Sequence, residues 1–205
     1  MITKILIFLS LLLLVGSVFV LINSSYFNQP RGLPGTRTEN DKLNFSQAVG
    51  KQAPDFVLQD INDKTVRLSD YQGKTVILFF NEGAMCYPAC WDQIKSFAGD
   101  ERFNAGEVKA LSIVIDQKSE WDKIVSQLPE FSKAEILFDS DRKVSTTYDI
   151  LALSSSMHPP SAMHPGGYPG HTYFIIDKNG IIRYTFDDPQ MGLRNDLLFS
   201  EISKL

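Results

Sequence analysis

The chain begins with a long apolar segment before any alternation of apolar and polar positions is seen. Residues 5–22 carry no charge, and only Ser10, Gly16 and Ser17 interrupt their apolar character. This length is close to what a helix needs to span the hydrocarbon of a membrane. The segment ends without an Ala-x-Ala pattern, so we favour an uncleaved signal anchor over residues 1–22 to a cleaved secretory signal peptide.

Charge and composition on either side of this segment predict how the rest of the chain is placed. Lys4 and the amino terminus precede it, whereas the first positive charge after it is Arg31. Positive charge favours the cytoplasmic side, so we expect a single-pass membrane protein whose domain is extracytoplasmic. Residues 23–50 are rich in Asn, Gln, Pro, Gly and Ser, which is typical of a linker, and the domain then covers residues 51–205.

After the linker, the apolar pattern predicts strands. Two short alternating segments flank the polar residues 62–64 and indicate a hairpin. The continuous apolar run 76–80 suits the centre of a sheet covered on both faces. Further strands are predicted at residues 108–115, 136–138, 173–176 and 181–184. The last two strands are separated by Asn179 and Gly180, a strong hairpin signal.

Helical spacing of apolar residues follows three of these strands. Pro88 suits the first position of a helix, in which Ile94 and Phe97 then recur at helical spacing. Other helices are indicated around Trp121 to Leu128, at Val144 and Tyr148, and over residues 194–203. Strands and helices alternate, and the chain ends in a hairpin and a helix. We therefore predict a three-layer α/β fold, with a mixed central sheet and helices on both faces.

Composition fits one globular domain and limits its partners. The chain of 205 residues is 43% hydrophobic and 21% charged, which is enough to bury one sizeable core. Its formal net charge of -4 gives no electrostatic reason to expect a nucleic-acid partner. We therefore predict no binding to nucleic acid.

The chain has two cysteines, Cys86 and Cys90, at the point where the buried strand gives way to a helix. Free amides and the helix dipole stabilise a thiolate there and lower its pKa below the ordinary value of about 8.5. Side chains four residues apart on a helix have Cβ atoms about 5–6 Å apart, whereas a disulfide requires about 3.5–4.5 Å. A bridge between the two therefore needs local adjustment, and we expect it to be easily reduced. An extracytoplasmic location favours such a bridge.

Four segments resemble the alkyl hydroperoxide reductase/thiol-specific antioxidant branch of the thioredoxin-like superfamily. They read VGKQAPDF at 49–56, LSDYQGK at 68–74, ILFDSD at 136–141 and TYFIIDKNG at 172–180. The resemblance implies a thioredoxin-like redoxin domain over residues 51–205. It also implies an oxidoreductase and antioxidant protein of the peroxiredoxin-like class, which uses a protein disulfide or peroxide substrate and a thiol electron donor and requires no cofactor.

The spacing around the cysteines departs from two patterns of this superfamily. Peroxiredoxins carry the pattern Pro-x-x-x-(Thr/Ser)-x-x-Cys. Before Cys86, the Thr/Ser position holds Gly83 and the Pro position holds Phe79. Before Cys90, the same positions hold Tyr87 and Gly83. Thioredoxins place two residues between their cysteines, whereas this chain has three. Three intervening residues resemble the Sco-type copper chaperones, membrane-anchored thioredoxin-like proteins that hold copper with Cys-x-x-x-Cys and a distant histidine.

All three histidines lie between positions 158 and 171, and the tripeptide Met-His-Pro occurs there twice. Thioether and imidazole side chains suit soft metals such as Cu(I), but His158 and His164 also fit a solvated Pro/Gly-rich surface loop. His171 lies where thioredoxin-like folds usually have a cis-proline facing the cysteines. The resemblance therefore implies that His171 stabilises a thiolate, relays a proton or ligates a metal. The structural alternative is that it caps a strand.

These patterns lead to three functional hypotheses. The first is a membrane-anchored extracytoplasmic thiol-disulfide oxidoreductase with Cys86, Cys90 and His171 as catalytic residues, in which Cys86 attacks the substrate and Cys90 resolves, or the reverse. The second is a Sco-like copper-binding or copper-delivery protein that ligates copper with the same three residues. The third is a binding domain with a static disulfide. Glu82 and Asp92 are the carboxylates nearest to the cysteine pair in the sequence. Each is either a proton acceptor or a solvated side chain.

Overall fold

The computed structural model describes residues 42–103 and 106–205, which belong to one compact unit, Glu39–Leu205. The predicted anchor over residues 1–22 and residues 23–41 of the predicted linker lie outside the described residues. Within the described ranges, no helix is long and apolar enough to cross a membrane.

The described part of the chain contains every strand and helix predicted from the sequence, with small differences at their ends. The strands are β1 Val57–Asp60, β2 Thr65–Arg67, β3 Thr75–Asn81, β4 Val108–Val114, β5 Ile136–Phe138, β6 Thr172–Ile176 and β7 Ile182–Asp187. The α-helices are α1 Ala89–Gly99, α2 Lys118–Gln127, α3 Lys143–Thr147 and α4 Asn195–Ile202. Short 3-10 helices lie at Phe45–Gln47, Leu68–Tyr71, Gly83–Met85, Glu101–Phe103 and Pro129–Lys133.

The strands form one mixed sheet in the order β2-β1-β5-β4-β3-β6-β7. All seven residues of β3 are buried, as its apolar run predicts. Strand β3 pairs in parallel with β4, so that Asn81 faces Val114, and antiparallel with β6, so that Phe80 faces Thr172. The chain after β3, the chain after β4 and the chain before β6 therefore meet at one edge of the sheet, which we call the site edge.

Helices cover both faces of the sheet. Alternate residues of a strand point to opposite faces, and the residues of β3 accordingly divide between two buried clusters. Ile77 and Phe79 belong to a cluster that includes residues of α1, α2 and α4. Val76, Leu78 and Phe80 belong to a second cluster that includes residues of α3. The predicted α/β fold with a mixed central sheet and helices on both faces is confirmed.

Residues 42–50, the described part of the predicted linker, pack on the α3 side of the domain. The ring of Phe45 meets the ring of Phe174 edge-to-face, with centroids 5.6 Å apart. Such a pair contributes about 0.5–1.5 kcal/mol beyond the area it buries. The backbone N–H of Leu43 donates a hydrogen bond of 2.8 Å to the carbonyl of Thr147. This segment is therefore held to the domain by both apolar and backbone contacts.

Two of the element ends that differ from the sequence prediction lie near the cysteines. Helix α1 begins at Ala89, so Pro88 caps the helix, and the carbonyl of Pro88 accepts a hydrogen bond from the N–H of Asp92. Strand β7 continues to Asp187, beyond the predicted end at residue 184, because Asp187 pairs with Thr172 at the start of β6. Both differences lie at the site edge, where pairing and capping depend on neighbouring segments.

Candidate active site

Cys86 and Cys90 form a disulfide, with their Cα atoms 5.4 Å apart. The chain leaves β3 at Asn81, turns through the 3-10 helix Gly83–Met85 and then enters α1. Within this connection, the N–H of Cys90 donates a hydrogen bond of 3.0 Å to the carbonyl of Cys86, which closes a helix-like turn. Cys90 therefore lies in the first turn of the helix and Cys86 just before it, as the sequence predicts.

Both cysteines are enclosed, although the residues beside Cys86 are not. Cys86 is 3% exposed and Cys90 is fully buried, whereas Met85 is 53% and Tyr87 is 70% exposed. The side chain of Trp91 packs edge-to-face on Tyr87, with centroids 5.1 Å apart, and closes the helix side of the pair. Cys86 is therefore slightly less enclosed than Cys90 and is flanked by exposed side chains.

Asp116 follows β4 and lies beside the segment that carries Cys86. Its Oδ2 atom accepts hydrogen bonds from the backbone N–H of Ala84 at 2.8 Å and from Nε1 of Trp121 at 2.6 Å. Burial raises the pKa of Asp116 to about 6, and these two hydrogen bonds oppose that rise. The sequence analysis missed Asp116. A polar residue directly after a buried strand parallel to β3 is a signal that could have found it.

Glu82 is buried and contacts a distant loop, whereas Asp92 is exposed and pairs with Lys95. The Glu82 carboxylate accepts hydrogen bonds from the N–H groups of Met157 at 2.8 Å and His158 at 3.2 Å. Its Oε2 atom also lies 2.8 Å from Nδ1 of His158. The Nζ atom of Lys95 lies 3.1 Å from Oδ1 of Asp92. Of the two predicted carboxylates, Glu82 is thus a structural link and Asp92 a solvated helix residue.

Residues 156–170, which we call the Met-His-Pro loop, are internally packed. The rings of His158 and His164 lie 4.6 Å apart between centroids, and both contact the ring of Tyr168. The guanidinium of Arg142 donates hydrogen bonds to carbonyl oxygens of the loop and lies over the ring of Tyr168. The two loop histidines are thus in contact with each other, and both are partly exposed. With the cysteines oxidised, the described residues contain no group of three or more His, Cys, Asp or Glu side chains that could hold a metal ion.

His171 directly precedes β6 at the site edge and is fully buried. Its ring packs edge-to-face on Phe79 at 4.7 Å and on Tyr173 at 5.5 Å between centroids. Phe79 and Tyr173 belong to the same buried cluster as the two cysteines. The structure thus brings His171 to the cluster that contains the disulfide, where it contacts aromatic rings.

The imidazole of His171 has no hydrogen-bond partner on either ring nitrogen. Its Nδ1 atom lies 3.6 Å from Oδ2 of Asp188, which is too long for a hydrogen bond. Burial lowers the pKa of His171 to about 4, against the opposing charge of Asp188. His171 is therefore neutral at physiological pH.

Asp188 is itself held by Arg194. The guanidinium donates two hydrogen bonds to the carboxylate, from Nε at 2.7 Å and from Nη2 at 2.8 Å. Although burial favours a higher value, these bonds and the charge of Arg194 hold the pKa of Asp188 below its usual range. Asp188 lies outside the predicted elements and Arg194 at the start of the last predicted helix, and no sequence signal pairs the two.

The domain that carries this site is similar to known proteins. The family model of the AhpC/TSA family matches residues 49–185. Peroxiredoxin Bcp of Escherichia coli (strain K12) is 28% identical over 161 residues, which cover 74% of this chain and 93% of that protein. Putative peroxiredoxin Q, chloroplastic, of Oryza sativa subsp. indica is 25% identical over 162 residues. That match covers 76% of this chain and 66% of the rice protein, slightly less than two thirds of its length.

Solved structures share the fold. Peroxidoxin BcpB from Mycobacterium tuberculosis superposes with a TM-score of 0.61 at 20% identity and covers 77% of this chain and 97% of its own. A peroxiredoxin-like protein from Aquifex aeolicus gives a TM-score of 0.61 at 16% identity, over 80% of this chain and 88% of its own. The predicted thioredoxin-like architecture is thereby confirmed. Because the family model matches more than half of its residues, the chain belongs to the AhpC/TSA family.

Proposed function

We propose that this chain is a peroxiredoxin-like thiol oxidoreductase that reduces hydroperoxides through Cys86 and Cys90. The observation that carries the proposal is the Cys86–Cys90 disulfide at the start of α1 in a domain of the AhpC/TSA family. The broader class, an oxidoreductase that acts on thiols or peroxides, agrees with the peroxiredoxin relatives.

Cys86 is the proposed nucleophile because it is the less enclosed of the two cysteines. Its thiolate attacks a peroxide oxygen, so that an S–O bond forms, the O–O bond breaks, and the departing oxygen takes up a proton and leaves as an alcohol or water. Cys90 then attacks the sulfur of the sulfenic acid, so that the S–S bond forms and the S–O bond breaks with release of water. A thiol electron donor restores both thiols by disulfide exchange.

His171 is the proposed hydrogen-bond donor to the reacting thiolate at this site. Burial keeps its imidazole neutral, and neither ring nitrogen has a hydrogen-bond partner. A neutral imidazole with a free ring N–H can donate a hydrogen bond and so stabilise a thiolate or the departing oxygen. This role distinguishes His171 from a residue that only caps β6.

The proposal is tested by mixing the reduced full-length chain with hydroperoxide in the absence of a thiol donor. We expect hydroperoxide to be consumed while the Cys86–Cys90 disulfide forms, since the two thiols supply both electrons. Consumption is followed by loss of hydroperoxide and disulfide formation by alkylation of the remaining thiols. If the thiols persist while hydroperoxide is present in excess, the proposed activity is wrong.

We further propose that residues 1–22 anchor the domain to a membrane, with the domain on the extracytoplasmic side. Support comes from the uncharged run at residues 5–22 and from Lys4 before it. Deletion of residues 1–22 should move the chain from the membrane fraction to the soluble fraction. If the full-length chain is already soluble in a cell lysate, the anchor proposal is wrong.

A second candidate function is Sco-like copper binding by Cys86, Cys90 and His171. The observation that favours it is the pair of unpartnered ring nitrogens on buried His171, because two thiolates and an imidazole form a donor set suited to Cu(I). Elemental analysis of the reduced full-length chain, dialysed after exposure to Cu(I), decides between the candidates. Stoichiometric copper that is lost in Cys86→Ser supports this candidate, and copper no higher than background removes it.

A further inference from the structure

Asp116 joins the two halves of the cysteine site through hydrogen bonds to a backbone N–H and to an indole N–H. On the Cys86 side, its carboxylate accepts the N–H of Ala84, which lies two residues before that cysteine. The same oxygen accepts Nε1–H of Trp121 on α2. One oxygen atom of this half-buried carboxylate therefore fixes both the turn after β3 and a large side chain on a neighbouring helix.

The connection reaches the Cys90 side through an aromatic contact. The ring of Trp121 lies 6.1 Å from that of Trp91, which follows Cys90 directly. Phe131 packs edge-to-face on both indoles, with centroids 5.5 Å away in each case. Movement of Trp121 relative to Asp116 would therefore be transmitted to the first turn of α1.

The space beside the turn is reserved for this carboxylate. A Cβ atom added to Gly83 would overlap Oδ2 of Asp116, and Gly83 has a φ of +72°. Counted back from Cys86, Gly83 occupies the Thr/Ser position of the peroxiredoxin pattern, so no hydroxyl is present there. The polar group that fills this space comes from the end of β4 instead.

We propose that Asp116 is a positioning residue of the dithiol site, which sets the placement of Cys86 relative to Cys90 according to whether its carboxyl group is ionised. The proposal rests on the redox role of the cysteine pair. An ionised carboxylate binds the N–H of Ala84 and the indole N–H more strongly than a neutral carboxyl does. Ionisation therefore tightens the turn that carries Cys86, and protonation loosens it.

Several segments next to Asp116 also carry carboxyl groups. Glu120 on α2 acts directly on it, and its negative charge raises the pKa of Asp116 further. The carboxylate of Glu82, on the cysteine segment, is hydrogen-bonded to the backbone of the Met-His-Pro loop and to the ring of His158. The carboxylate of Asp139, which follows β5, accepts hydrogen bonds from the N–H and hydroxyl groups of Ser145. Asp116 is therefore the carboxyl group whose own hydrogen bonds reach the cysteine turn.

The test compares how fast dithiothreitol reduces the Cys86–Cys90 disulfide in the full-length wild type and in Asp116→Asn, across the pH range around the pKa of Asp116. Asn keeps the shape and an oxygen acceptor but does not ionise. The ratio of the two rates cancels the ionisation of the reductant. We expect the ratio to change about fivefold to tenfold across this range, the effect of exchanging an ionised acceptor for a neutral one.

Asp139→Asn is the matched control, since it removes another buried carboxyl whose pKa burial raises. Its rate ratio to wild type should not vary with pH. A constant ratio for Asp116→Asn would overturn the inference. Circular dichroism shows whether Asp116→Asn folds. If it does not, the pH profile of the wild-type reduction rate, divided by the thiolate fraction of dithiothreitol, tests the inference instead. A profile without a step near the pKa of Asp116 also overturns the inference.

This outcome is separate from that of the proposed function. If wild type consumes no hydroperoxide but the Asp116→Asn ratio varies with pH, the peroxidase activity is wrong and the positioning role stands. If hydroperoxide is consumed and the ratio is constant, the positioning role is wrong and the activity stands.

Discussion

The Oε2 atom of Glu82 lies 2.8 Å from Nδ1 of His158, and the carboxylate concerned is only 1% exposed. The same carboxylate accepts the N–H groups of residues 157 and 158. Glu82 lies four residues before Cys86, so one side chain holds the Met-His-Pro loop against the cysteine segment. The loop is therefore part of the wall of the site.

Replacing Glu82 should destabilise the domain. In Glu82→Ala, the N–H groups of Met157 and His158 lose a charged acceptor, and a hydrogen bond to a charged group contributes about 1.5–3 kcal/mol. We expect the free energy of unfolding, measured by urea titration, to fall by about 2–4 kcal/mol.

Glu130→Ala is the control for this change, because Glu130 is an exposed carboxylate. It should change the free energy of unfolding by less than about 0.5 kcal/mol. Equal stability of Glu82→Ala and Glu130→Ala would show that the hydrogen bonds of Glu82 do not hold the loop.

Removing the imidazole of His171 should change how stability depends on pH. An unfolded histidine binds a proton below its ordinary pKa of 6.5, whereas folded His171 does so only below about 4. Between these values the unfolded state binds more protons, so His171 makes the domain less stable as pH falls, by up to about 3 kcal/mol. We expect His171→Leu to lose this dependence.

The measurement is the free energy of unfolding of wild type and His171→Leu at matched pH values on either side of this window. The two proteins must be compared at each pH, because the titration of Asp116 changes the free energy of unfolding with pH in the direction opposite to that of His171. Its pKa of about 6 lies above the ordinary 3.8, so its contribution falls as pH rises. Parallel stability curves for the two proteins would contradict the neutral, buried state of His171.

Gly83 should tolerate substitution less well than a second glycine of similar conformation. Both Gly83, with φ +72°, and Gly73, with φ +89°, adopt a backbone conformation that favours glycine. A Cβ at Gly83 overlaps Asp116, whereas a Cβ at Gly73 meets nothing within 4 Å. We expect Gly83→Ala to lower the free energy of unfolding by about 1–3 kcal/mol more than Gly73→Ala.

Thermal or urea unfolding of the two variants measures this difference directly, because the shared backbone strain cancels. The rate of disulfide reduction gives a second readout, which should change in Gly83→Ala alone. Indistinguishable stabilities would mean that Asp116 moves aside without cost.

The fold could be predicted from the sequence because its signals are local. The apolar run that became β3 and the Asn179–Gly180 turn each specify an element within a few residues, and Pro88 marks the start of α1 to within one residue. The position of the cysteine pair followed from those elements.

The surroundings of the cysteines could not be predicted in the same way, because they depend on contacts between distant segments. Glu82 and His158 are separated by 76 positions, and Ala84 and Asp116 by 32. The partners Asp188 and Arg194 are close in sequence, but an irregular segment before the last helix separates them and carries no pattern that pairs them. Such contacts are set by the order of strands in the sheet, which a single apolar pattern does not specify.

The most direct test of the central claim is the rate at which the full-length chain consumes hydroperoxide with a thiol donor, in wild type, Cys86→Ser and Cys90→Ser. Cys86→Ser should fall to the rate without protein, because the attacking sulfur is absent. Cys90→Ser should still consume hydroperoxide once and accumulate a sulfenic acid that a dimedone-type reagent traps. A Cys86→Ser variant that retains the wild-type rate would contradict the assignment of Cys86 as the peroxide-reducing nucleophile.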